Sequence, residues 1–135
     1  MIRILFGIFF MLHGLVHLLY FGQSARVFEL QPGMVWPDGS WAFSRLLGEV
    51  MNRNLASALL VLAAIGFVAS GAGILAKQPW WRPAITATAA FSTVIFVLFW
   101  AGGLQHFDNK GGIGGLINLA ILAIVLMAQW PKLDF

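Results

Sequence analysis

Ile4-Leu-Phe-Gly-Ile-Phe-Phe-Met-Leu-His-Gly-Leu-Val-His-Leu-Leu-Tyr-Phe21 contains no Asp, Glu, Lys or Arg, and its reading decides the fold class. The charge-free interval around it runs from Arg3 to Arg26 and holds 22 residues. A helix needs about 20 mostly apolar residues to cross the ~30 Å hydrocarbon layer, at a rise of ~1.5 Å per residue. Three more such intervals follow: 23 residues between Arg53 and Lys77, 25 between Arg82 and Asp108, and 21 between Lys110 and Lys132. Each is long enough for one crossing and too short for two. A barrel would show ~10-residue stretches alternating apolar and polar, whereas these are continuously apolar. The expected fold is therefore all-α: an integral membrane, up-and-down four-helix bundle. It forms a single domain over residues 1–135, with spans at 4–21, 55–76, 83–103 and 113–130.

Composition points the same way. Hydrophobic residues make up 60% of the chain and charged ones 10%, against about 25% charged in soluble domains. The eight basic residues are scattered rather than striped, which argues against nucleic acid as a partner. The lipid bilayer is the expected partner, joined by a membrane-protein partner or a second copy of the chain. Cysteine is absent, so thiolate metal sites and thiol redox chemistry are excluded. The first span looks like a signal peptide, but it is expected to be retained.

Four crossings place both termini on one side. That side carries Arg3, Lys77, Arg82 and Lys132, and the opposite side Arg26, Arg45, Arg53 and Lys110. The terminal-side charges lie in very short segments, where basic residues act most strongly on orientation, so the termini are expected to be cytoplasmic. Trp80, Trp81 and Trp130 are expected at one interface, Tyr20 and Trp100 at the other.

The first connection, 22–54, is the one long extramembrane segment. Its first half is rich in turn residues. Its second half places Phe43, Leu46, Leu47, Val50 and Met51 on one helical face, with Arg45, Glu49 and Arg53 spaced to pair on the other. Asp38 or Ser40 is the expected cap. This reads as an amphipathic helix in the headgroup plane, or a plug on the bundle, with Trp36 and Trp41 dipping toward lipid. Small residues supply close packing between spans: Gly7 and Gly14, Ala56, Ala63, Gly66, Ala69 and Gly73, and Gly111 with Gly115.

Chemistry rests on the histidines. His13 and His17 are four residues apart and share a helix face, about 14 Å and about 8 Å from the Gly22 end. Helix direction brings His106 toward the same side, and Asn118 enters that half from the fourth span. Gln23, Gln105 and Asp108 are expected at the rim. Polar side chains within a span usually face inward and mark a site. Three readings compete. In one, His13 and His17 bond Asn118, Ser or Thr across helices as structural glue. In another, His13, His17, Asn118 and His106 form the polar end of a pocket for a lipid or quinone-like ligand. In the third, His13, His17, His106 and Asp108 hold a metal, or one of the pair binds haem together with His106. A small channel or transporter is a further alternative. No intramembrane carboxylate supports a proton-coupled exporter, and no nucleophile–base motif supports a hydrolase. Whether the protein is an enzyme is open.

Ile2-Arg-Ile-Leu-Phe-Gly-Ile-Phe-Phe-Met-Leu-His-Gly-Leu, the Gly-rich end of the second span and Gly115-Leu-Ile-Asn-Leu-Ala-Ile-Leu-Ala resemble the DoxX-like group of small four-helix membrane proteins. The resemblance implies a place in a quinone-linked membrane oxidoreductase assembly. No catalytic residue follows from it. The function expected is a small membrane subunit that binds a hydrophobic or quinone-like molecule beside the histidine pair.

Overall fold

A computed structural model of the chain describes residues 1–102, 107, 108 and 110–133. Every regular element among them is helical: α1 (Ile2–Ser24), α2 (Ser44–Leu75), α3 (Trp81–Leu98) and α4 (Gly112–Leu122), which runs on through a π-helical turn at Ala123–Met127. Three of these, α1, α2 and α3, are long and apolar enough to cross a membrane. The fourth is apolar but shorter, from Gly112 to Met127.

The boundaries differ from the expected ones for local reasons. Helix α2 begins well before the second charge-free interval. The expected loop helix does not stand apart from it: one turn at 44–47 meets Gly48, whose φ of 70° and ψ of 173° break the helix, and helix resumes to Leu75. Only glycine takes that conformation readily. The break separates Arg45 from Glu49, and the expected Arg45–Glu49–Arg53 pairing is not formed among the described residues, where the ion pair present is Lys110–Asp38 at 2.7 Å. Neither Asp38 nor Ser40 caps the helix, whose N-cap is Phe43 without a side-chain bond; the Ser40 hydroxyl accepts instead from the Ala42 and Phe43 N–H groups of the turn that precedes it. Helix α3 stops at Leu98, short of residue 103, because the Leu98 carbonyl is taken by the Ser40 hydroxyl and the Val97 carbonyl by the Trp41 indole N–H.

Small residues set the helix contacts. A Cβ on Gly71 would sit 2.5 Å from the Gly7 carbonyl oxygen, and one on Gly14 3.0 Å from that of Ala64. At the other end of this pair the Ser57 hydroxyl donates to Ser24, so α1 and α2 run in opposite directions. Gly66 lies against Thr88 and joins α2 to α3. Of the expected Gly111–Gly115 stripe only Gly111 meets a neighbouring helix, at Phe96 of α3, while Gly115 faces open space.

Two apolar clusters fill the interior. One joins Phe10, Phe67, Ile74, Trp81, Ile85, Ile121 and Val125. The other joins Trp36, Leu60, Ile95, Phe96 and Phe99. Trp36, expected at lipid, is 1% exposed, while Trp41 is 67% exposed. Trp36 packs against Tyr20 and Phe96, which roof the bundle end. Trp81 is also interior rather than part of an aromatic belt. Gln23 is buried instead of rimming the bundle. Its amide donates to the Met34 carbonyl and accepts from Leu30 N–H, which ties the first connection down.

Candidate functional site

The inward stripe of α1 runs through Phe10, His13, Gly14 and His17, all buried. Ser92 on α3 and Asn118 on α4 face it, and neither has any exposure. A four-residue hydrogen-bonded chain results. His13 Nε2 lies 2.7 Å from Asn118 Oδ1. Asn118 Nδ2 donates to Ser92 Oγ at 2.8 Å. Ser92 Oγ lies 2.6 Å from His17 Nε2, and His17 Nδ1 lies 2.9 Å from the His13 carbonyl oxygen.

The direction of the protons follows from one end. A carbonyl oxygen can only accept, so His17 carries its proton on Nδ1 and donates to it. In the neutral ring Nε2 is then an acceptor, and the Ser92 hydroxyl donates to it. Ser92 has its lone pairs left for a donor, so Asn118 turns its NH₂ to Ser92 and its oxygen to His13. His13 accordingly donates through Nε2. Its Nδ1 is left with a lone pair, and no side chain or backbone group among the described residues bonds it. Reversing the amide of Asn118 would force a lone pair of His17 against the His13 carbonyl, which is unfavourable.

The surroundings are aromatic. Phe67 of α2 meets both imidazoles, with centroids 4.6 Å from His13 and 4.9 Å from His17. Phe9 stacks parallel to His13, and Phe96 adjoins His17. These rings pack directly against the imidazoles at the depth of His13 and His17. One turn toward the termini, a groove of about 180 Å³ opens between α1 and α4, walled by Phe6, Phe9, Phe10, Ile117, Ile121 and Val125 among others. Neither His13 nor Asn118 lines the groove, but Phe9, which stacks on His13, and Ile117, which precedes Asn118, do, so the groove lies one side chain away from the hydrogen-bonded chain.

Of the expected site residues, the structure brings together His13, His17 and Asn118. His106 lies outside the described residues, as does Gln105. Asp108 is exposed, and its backbone carbonyl accepts from the Tyr20 hydroxyl at 3.4 Å. For a metal, His17 would have to give up one of its two bonds, and His13 offers Nδ1 alone. Among the described residues no three His, Asp or Glu side chains cluster as a metal site. Ser92 was not singled out by sequence. Its signal is a hydroxyl within an apolar span, shared with Thr86, Thr88 and Thr93, and only packing selects it.

Fold and site define a class, an all-helical protein with three apolar helices of membrane-crossing length and a buried polar chain joining α1, α3 and α4. No family model matches the sequence, and no curated protein or solved structure does.

Proposed function

We propose that the chain is a multi-pass, up-and-down four-helix membrane bundle that binds a hydrophobic ligand in the α1–α4 groove, with the ligand's polar end on His13. Helix α4 makes the fourth crossing, and the termini are cytoplasmic. The exposed side chains of Trp41, Leu46, Val50 and Met51 lie in the headgroup region. The observation that carries the ligand reading is the lone pair of His13 Nδ1. It is left without a partner among the described residues, as is the second N–H of Asn118, in a network that lies beside an apolar groove. An acceptor selects a donor, so the ligand is a hydroxyl-bearing one: a quinol rather than a quinone, or a lipid with a free hydroxyl. This agrees with the DoxX-like resemblance and with a role as a subunit of a membrane oxidoreductase assembly.

A second reading is favoured by a specific observation. Each of the four side chains bonds another member of the chain or the backbone across or along the helices, as an interhelical clamp requires. Extraction and mass spectrometry of lipids and quinols from purified protein separates the two. On the ligand reading, His13→Phe loses the hydroxyl-bearing ligand and Ser92→Ala retains it. On the clamp reading, both variants lower the melting temperature and neither changes the extract.

A further inference from the structure

The connection between α2 and α3 meets the end of α4 at the side of the molecule that holds Met1. The contact is built around Arg82. Its Nη1 donates to the Val125 carbonyl at 3.1 Å, and its Nη2 to the Pro131 carbonyl at 2.9 Å. The guanidinium also lies 4.7 Å from the Trp81 ring centre. The π-helical turn and Gln129, with φ of 49°, bend the chain around it. Arg82 is thereby fixed in place, and its Nε–H and one Nη1–H remain undirected.

Beside it lies a cleft of about 570 Å³, walled by Arg82, Val125, Leu126, Gln129, Lys132 and Leu133. Two cations and an amide thus meet three apolar residues, and among the described residues no carboxylate lines the cleft. Among the described residues neither Arg82 nor Lys132 forms an ion pair. Asp134, the next carboxylate in sequence, lies outside them. The half-exposed Trp80 and Trp130 belong to the same end of the molecule, in the position of an interfacial belt.

We propose that the Arg82–Lys132 cleft binds a phosphate group, that of an anionic phospholipid headgroup, with the lipid's apolar portion against Val125, Leu126 and Leu133. Fixed guanidinium and mobile ammonium groups are the usual pair for phosphate. The cytoplasmic leaflet supplies anionic lipid, and a basic residue at that surface contributes about fivefold in affinity. The inference rests on the membrane reading above and not on the His13 ligand.

The test uses the full chain in detergent, titrated by native mass spectrometry with phosphatidic acid, phosphatidylcholine of the same acyl chains, and inorganic phosphate. Phosphatidic acid, which carries the phosphate without an alcohol hydroxyl, is expected to bind about tenfold or more tightly than phosphatidylcholine. Lys132→Gln should weaken it about fivefold. Lys77→Gln, which removes a charge outside the cleft at the same end, should leave it unchanged. Inorganic phosphate should compete only weakly; binding of phosphate alone as tight as that of the lipid would make a free phosphate, not a headgroup, the ligand and overturn the lipid assignment. Equal affinity for the two lipids, or equal losses in Lys132→Gln and Lys77→Gln, would reduce the cleft to diffuse surface charge and overturn the site. Failure to bind either lipid would overturn the site and leave the membrane reading, which rests on the length and apolarity of the helices, standing.

Discussion

At the residue scale, Ser92 is the pivot of the buried chain, because it both donates to His17 and accepts from Asn118. Ser92→Ala leaves a buried imidazole lone pair and a buried amide N–H without partners. Each costs roughly 1–3 kcal/mol in a folded interior, though interhelical bonds in membranes average nearer 0.6 kcal/mol. Thermal melts in detergent should therefore show Ser92→Ala less stable by about 1–3 kcal/mol. Asn118→Ala in the same background should add less than it does alone, since the bond between the two is already lost. Strict additivity would mean that the chain does not act as a unit.

At the scale of elements, contact between α1 and α2 depends on the absence of side chains. A Cβ on Gly71 meets backbone, the Gly7 carbonyl oxygen and Met11 nitrogen, which cannot swing away. Gly71→Ala should force the two helices apart at a cost of about 1–3 kcal/mol. Gly115 has nothing within 4 Å of the same position, so Gly115→Ala should be neutral or more stable by up to about 1 kcal/mol through helix propensity. Melting temperatures of the two variants check the contrast, and an equal loss in both would refute it. Spacing alone ranks Gly111–Gly115 as a packing stripe and does not mark Gly71. Which glycine faces a neighbour depends on how the helices are rotated about their axes, and the charge-free intervals do not carry that information.

At the scale of the whole molecule, the crossing number is the property to test. Helix α4 with its π-helical turn spans Gly112–Met127, about 24 Å at 1.5 Å per residue, so its crossing requires local thinning of the bilayer or the continuation of the chain past Met127. The chain has no cysteine, so single cysteines can be read without background. An impermeant maleimide applied to intact spheroplasts should label Arg26→Cys and leave Lys77→Cys and Lys132→Cys unlabelled until the membrane is opened. Labelling at 132 together with 26 would leave only three crossings.

The four apolar intervals, the helical class and the shared face of His13 and His17 were all legible in the chain, because charge is excluded from hydrocarbon and a helix repeats every 3.6 residues. Both rules are local. Tertiary structure alone decided that Trp36 and Gln23 are interior while Trp41 is not, that Gly48 interrupts the loop helix, and that Ser92 rather than a neighbouring threonine completes the chain between the histidines. Those outcomes depend on the rotation and depth of one helix against another. Side-chain packing sets both, across residues far apart in sequence.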